Sequence, residues 1–224
     1  PDQFYLANTK DYKCFMKNLL SGEEVSLDGY LPWLRNTGIP VSRDGKLKIR
    51  NTHRNEIGNQ FELIYNSESL AVGVGCERGT SVNELISLVQ TTLENNNLSK
   101  ASIAVFVSIE QKMDEIAINA VADFFNKPLR FFDSVTLEEE TPRLKNPSEI
   151  VFREVGSHGV AEASALAAVG PLGELIVEKT KSRRATCAIA KTKTLIDPNS
   201  VGKARGILSV VGLGPGKALS LIHI

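Results

Sequence analysis

Four short stretches of the chain set glycines beside charged or polar side chains, the pattern from which a binding or catalytic loop is built. The first is Gly75-Cys76-Glu77-Arg78-Gly79-Thr80-Ser81. Glycines let a backbone turn tightly and approach a ligand, and a helix start offers free N–H groups and the positive end of its dipole to an anion. Arg78 adds a fork-shaped donor suited to a carboxylate. A plain strand-to-helix turn with a solvent-facing arginine fits the same residues. The second stretch, Ser108 to Glu115, holds Lys112 and Glu115 where a strand gives way to a helix. Open α/β sheets bind ligands at such strand ends. An exposed charged turn is the alternative. In the third, Gly156-Ser157-His158-Gly159-Val160-Ala161-Glu162, two glycines bracket a histidine suited to proton transfer near neutral pH. A surface-loop histidine, with Glu162 only complementing a helix dipole, is the competing reading. The fourth, Glu178 to Arg184, reads as a basic loop between strands whose four cations in six residues suit an acidic ligand, with a solvated loop as the default reading. Cys76 has no histidine near it in sequence and reads as a packed thiol.

The elements that must carry these loops are visible as apolar runs. Leu70–Gly75, Ile103–Ile109 and Leu129–Phe132 read as buried strands. Ser81-Val82-Asn83-Glu84 has the form of a capping box opening a helix whose inner face is Val82, Leu85, Leu88, Val89 and Leu93. Asp114–Phe125 reads as a second helix. Asn146-Pro147 reads as the start of a third, ended by Gly156, and Val160–Val169 as a small-residue helix suited to close packing. Glu174–Val177 and Ala185–Ala190 read as two last strands. Strands alternating with helices predict a three-layer α/β/α domain with a mixed sheet over residues 70–191. A smaller α/β region precedes it over 1–69, with a helix expected at 5–20 and a strand at Phe61–Tyr65. Residues 192–205 read as a linker, and 206–218 as a new strand running into a glycine loop.

Composition narrows the class of function. The 26 basic and 26 acidic residues cancel, so nothing points to nucleic acid. No apolar run approaches the ~18 residues of a membrane span, and no signal-peptide pattern is present. Three scattered cysteines, Cys14, Cys76 and Cys187, form no CxxC pair, which points away from zinc and disulfides and toward a reducing cytoplasm. The chain opens at Pro1 without a methionine and stops in mid-pattern, so a fragment is expected. Its last six residues, Leu219–Ile224, match the in-frame translation of a transposon-end sequencing adaptor and are set aside from fold reasoning.

Taken together, VGVGCERGTSVNELISLV, SIEQKMDEIAI, NPSEIVFREVGSHGVAEASAL and VEKTKSRRATCAIA resemble, in order and spacing, the C-terminal domain of the cobalt-precorrin-5A hydrolases of anaerobic cobalamin biosynthesis. That domain is shared with a small standalone protein of the aerobic pathway. The resemblance implies opening of the ring-A lactone of cobalt-precorrin-5A, with loss of acetaldehyde. The partner would be a cobalt-bearing anionic tetrapyrrole, the cobalt belonging to the substrate and no cofactor being needed. A non-catalytic module that binds and hands over a corrinoid is the second reading. Under the first, Glu162 and His158 are acid/base candidates and Lys112 stabilises an oxyanion, while Gly75, Arg78, Thr80, Ser81, Glu115, Gly156, Gly159 and Lys179 supply substrate contacts. The segment Gly206–Gly216 resembles the first strand and glycine loop of tetrapyrrole methyltransferases. By that resemblance Gly212, Gly214, Pro215 and Gly216 would bind S-adenosylmethionine in a fusion partner, the ring-contracting enzyme of the same pathway.

Overall fold

The computed structural model describes residues 3–34 and 37–206. The N-terminal part is built from strand β1 (Phe4–Leu6), helix α1 (Tyr12–Leu20) and strands β2 (Val25–Asp28), β3 (Leu47–Asn51) and β4 (Glu62–Ser67). The sheet runs β1-β4-β3-β2, with β1 antiparallel and the rest parallel. The expected helix at 5–20 therefore begins only at Tyr12. Phe4–Leu6 is recruited as an edge strand because β4 offers it a ladder, Phe4 facing Ser67 and Leu6 facing Tyr65. Phe15 of α1 is fully buried against Val25, Leu47 and Leu63.

The larger part comprises β5 (Leu70–Cys76), α2 (Val82–Asn95), β6 (Ile103–Ile109), α3 (Ile116–Phe125), β7 (Leu129–Phe132) and α4 (Ser134–Glu139). It continues through α5 (Glu149–Val155), α6 (Ala161–Val169), β8 (Glu174–Lys181), β9 (Ala185–Lys191) and β10 (Lys203–Ala204). Its sheet has the order β10-β7-β6-β5-β9-β8. β5, β6 and β7 are parallel, while β9, β8 and β10 join antiparallel, giving the expected mixed sheet.

Alternation of side chains sends Leu70, Val72 and Val74 of β5 to one face, where they meet Leu85 and Val89 of α2 and Ile118 and Val121 of α3. Ala71 of β5 and Val105 and Val107 of β6 face the other way, toward Ala168 of α6. This is the three-layer arrangement. Strands covered on both sides have no polar face to show, which is why they read as unbroken apolar runs.

α6 comes unusually close to the sheet. Seven of its nine residues are buried, five of them alanine or serine, and β5 presents Gly73 beneath it. A methyl group at Gly73 would stand 1.9 Å from the carbonyl oxygen of Ala161, so this position must lack a side chain.

Two helix starts differ from expectation. α2 begins after Ser81, but the serine makes no capping bond. Glu84, expected to complete the box, instead accepts hydrogen bonds from Ser182 Oγ and from the N–H of Arg184 at 2.7 Å. For α5 the cap is Ser148 rather than Asn146, its hydroxyl accepting from the Val151 N–H. The stretch 192–205, expected to be a linker, lies on the sheet: Ile196 and Val201 are buried with Ala71 and Val105, and β10 pairs with β7. The glycine motif from Gly212 to Gly216 (including Gly214 and Pro215) and the terminal Leu219–Ile224 fall outside the described residues.

Candidate functional site

A pocket of about 320 Å³ opens at the C-terminal ends of β5 and β6. The loop into α6 and helix α5 supply an apolar wall of Val151, Val155, Val160 and Ala161, with Ile109 from the end of β6. β8, β9 and the turn between them supply a cationic wall of Lys179, Lys181, Arg183 and Arg184, and Lys112 comes from the turn after β6. Glu77 and Glu154 are the only acidic residues of the lining, so five cations stand against two carboxylates. In a chain of zero net charge this is a local concentration of positive potential.

The five cations are not equivalent. The Arg184 guanidinium is committed: it pairs with Glu77 at 2.8 Å and donates to the carbonyls of Arg78 and Gly79. Lys179 donates through Nζ to the carbonyl of Asn146 at 2.6 Å. Burial, reinforced by neighbouring Lys181, holds its ammonium below the usual lysine range. Lys112, Lys181 and Arg183 have no ion pair or side-chain hydrogen bond among the described residues, and their charges are free for a ligand.

The residues singled out from sequence divide accordingly. Lys112, Lys179, Gly75 and Gly159 line the pocket. Arg78 does not: its guanidinium is held by Asp114 and by the carbonyl of Gln111, tying the first loop to the second. Thr80 turns its hydroxyl into its own loop, donating to the carbonyl of Glu77 at 2.7 Å. Ser81 only marks the start of α2. Glu115 is buried and accepts the N–H of Gly79, a residue at φ +68°. Gly156 ends α5 in the left-handed conformation, its N–H bonded to Phe152. Lys179 proves to be a strand residue of β8, because the basic turn is only Ser182–Arg184.

His158 is not one of the residues that line the pocket. Its ring stacks on Phe152 with centroids 4.4 Å apart, and Nδ1 meets the Glu138 carboxylate at 2.8 Å. That hydrogen bond pushes the imidazole above its ordinary range.

Glu162 is 2% exposed. Its carboxylate accepts four N–H bonds: from the backbone of Lys145, Asn146 and Lys179 at 2.8, 3.0 and 2.8 Å, and from Asn146 Nδ2 at 2.9 Å. Burial alone would raise it, but these donors outweigh burial and hold the carboxyl below the usual range.

Cys76 lines the pocket, and burial, with Glu115 adding, keeps it a neutral thiol. No group of three or more metal-ligating side chains occurs among the described residues. No helix among them is long and apolar enough to cross a membrane.

Residues 70–190 match the family model described as cobalamin synthesis G C-terminus. The chain belongs to this family. Every residue lining the pocket lies within that span. A relative from a Sinorhizobium species, Protein CobE, is 43% identical over 126 residues, covering 56% of this chain and 82% of that protein. The cobalt-precorrin-5A hydrolase of Priestia megaterium is 30% identical over 128 residues, 57% of this chain and 33% of the hydrolase. The probable cobalt-precorrin-5A hydrolase of Methanocaldococcus jannaschii is 26% identical over 159 residues, 49% of its length. The chain thus spans a third to a half of these two hydrolases. Among solved structures, CobE, described as a protein from the cobalamin (vitamin B12) biosynthetic pathway, is similar at a TM-score of 0.51 and 34% identity, over 55% of this chain and 90% of that one.

For this member of the cobalamin synthesis G family, sequence reasoning missed Lys181, Arg183 and Glu154 as pocket residues. The four-cation run from Lys179 to Arg184 was a signal for the first two. Glu154 gave none, being one glutamate among several on a short helix.

Proposed function

We propose that the pocket takes the carboxylate-bearing edge of a cobalt-bearing anionic tetrapyrrole, and that the protein is a cobalt-precorrin-5A hydrolase. The observation that carries this reading is a single pocket whose lining combines an apolar wall with five cations. A macrocycle ringed by acetate and propionate groups has the same two chemistries. Hydrolysis requires water to attack the lactone carbonyl, a base to take its proton, and a charge to steady the tetrahedral oxyanion. Lys112, without an ion pair among the described residues at the end of β6, suits the oxyanion. Glu162, with its oxygens filled by N–H donors, is poorly placed to accept a further proton, and His158 lies outside the lining. Glu154, which lines the pocket and makes no ion pair among the described residues, is the proposed base. Ring opening gives a carboxylate and an alcohol. Collapse of that alcohol as its carbon–carbon bond to the macrocycle breaks, with the bonding pair passing to the macrocycle, releases acetaldehyde and leaves cobalt-precorrin-5B. The cobalt is substrate throughout. The setting proposed is the cytoplasm, among other enzymes of the pathway.

The test is acetaldehyde release from cobalt-precorrin-5A. The protein should produce it, and Glu154→Gln should slow it by about 10²-fold or more. Tight binding of the corrinoid without acetaldehyde would instead establish a carrier. That second reading is favoured by one observation: CobE, a relative of which this chain covers 82%, bears no reaction in its name.

We further propose that Gly212, Gly214, Pro215 and Gly216 open a methyltransferase domain that binds S-adenosylmethionine. This rests on the glycine motif alone. Reading the gene beyond Ala218 tests it: continuation through about one more domain supports the fusion, and a stop codon after Ile224 refutes it.

A further inference from the structure

The two walls of the pocket belong to different parts of the fold, and one buried carboxylate joins them. The apolar wall is carried by α5, whose cap, Ser148, follows Asn146 by two residues. The cationic wall is carried by β8 at Lys179 and Lys181. Glu162 binds the backbone N–H of Lys179 with one oxygen and the backbone N–H groups of Lys145 and Asn146 with the other, while the Asn146 amide returns to the first. Lys179 Nζ closes the triangle on the Asn146 carbonyl. The result is a clamp of five hydrogen bonds around a carboxylate that is almost wholly buried, on a helix that itself rests against the centre of the sheet.

We propose that Glu162 is a positioning residue which sets the distance between the apolar and cationic walls, and so selects ligands that are apolar in body and polycarboxylate at the edge. The proposal rests on the reading of the pocket as a corrinoid site. Apart from the clamp, the only hydrogen bond among the described residues that joins the segment leading into α5 to β8 is the one from Asn146 to Glu178 at 3.3 Å. The Lys179 ammonium, which owes its position to Asn146, would then be free to turn out to solvent.

The experiment uses the full chain and two probes, cobyrinic acid and its methyl ester, which share a macrocycle and differ in edge charge. Affinities are measured by titration calorimetry for the parent, Lys112→Met, Lys179→Met, Glu162→Gln, Asn146→Ala and the double variant Glu162→Gln/Lys179→Met. The quantity read is the preference for acid over ester, which a partly unfolded sample leaves unchanged because both affinities fall together. The parent should prefer the acid, and Lys112→Met should reduce that preference. Glu162→Gln should reduce it about tenfold, and the double variant should be no worse than the more affected single one, since Glu162 acts through Lys179. Asn146→Ala should shift it in the same direction, which keeps the test open if Glu162→Gln does not fold. If Lys112→Met and Lys179→Met lower the preference but Glu162→Gln and Asn146→Ala do not, or if the double variant is additive, the positioning role is overturned while the pocket stands. If neither lysine variant changes it, the corrinoid reading of the pocket falls, and this inference with it.

Discussion

Gly73→Ala should be among the most damaging small changes available to this protein. The added methyl carbon would lie 1.9 Å from the Ala161 carbonyl oxygen, 2.9 Å from its carbonyl carbon and 2.9 Å from Ser164 Oγ. Ordinary contact begins at 3.4 Å, so the first turn of α6 must retreat by about 1.5 Å. The obstacle is helix backbone, which cannot rotate away as a side chain would. Retreat opens the layer between α6 and the sheet, where Ala163, Ser164 and Ala165 are fully buried, and forfeits a large part of their dispersion contacts. Overpacking of a well-filled core costs about 1–3 kcal/mol, and a clash with backbone belongs at or above the upper end, about 3 kcal/mol. For a chain of this size that lowers Tm by about 6–12 °C. Gly75→Ala, two residues along the same face, is the control. Its methyl would meet Thr186 Oγ1 at 3.0 Å and Val160 Cγ1 at 3.4 Å, both able to shift, so it should cost under about 1 kcal/mol. Urea denaturation of the two variants beside the parent measures this. If Gly73→Ala lies within about 1 kcal/mol of the parent, α6 does not rest on β5 as described.

Three further outcomes are expected. His158→Gln should lower stability in a limited pH window. The histidine is raised by its bond to Glu138, so its contribution is full below its ordinary 6.5 and fades as pH rises. Glu138 feels burial upward but is held lower overall by the hydrogen bonds from His158, so its contribution is full above its ordinary 4.5 and fades as pH falls. The deficit of the variant in thermal melts should therefore peak between 4.5 and 6.5 and shrink on both sides; a deficit independent of pH would refute the pairing. Iodoacetamide at about pH 8 should label exposed Cys14 well before Cys76, whose thiol is pushed up by burial and by Glu115, and should reach Cys187, pushed to about 12, only on unfolding. Equal rates for Cys14 and Cys76 would return the latter to consideration as a nucleophile. Arg183→Ala should weaken cobyrinic acid binding about tenfold, because that guanidinium is uncommitted at the pocket, whereas Arg78→Ala should change it by less than about twofold. The reverse order would place the anion site on the first loop.

Much of the larger domain was legible because its strands are buried on both faces. Leu70–Gly75 and Ile103–Ile109 could only be core strands. What stayed hidden depended on partners distant in sequence. Ser81 and Glu84 carry the spacing of a capping box, yet Glu84 finds Ser182 and the Arg184 N–H about a hundred residues away, and the serine is left without a cap bond. Phe4–Leu6 looks helical until β4 stands beside it. The same holds at the site. Arg78 and Arg183 are equally cationic in sequence, and only the fold shows Asp114 neutralising one and leaving the other free. Glu162 has the position of an acid/base group in a glycine loop, and only the arrival of four N–H donors from two other segments makes it a fastening.

The place of β9 in the sheet has a consequence for how the chain is made. β9 pairs with β5 along its whole length, from Leu70 against Lys191 to Cys76 against Ala185, and the two strands are separated by more than a hundred residues, as in the 111 between Gly75 and Thr186. During synthesis β5 emerges first and can recruit β6 and β7 on one side, but its other edge waits for nearly the entire domain to be translated. Until then a long apolar strand edge stands open, the kind of surface that pairs with any neighbouring chain. A ribosome that stalls in the turn at Ser182–Arg184 therefore leaves a product with most of its mass and an unfinished sheet. Such a product is a target for chaperones and proteases rather than a smaller working protein.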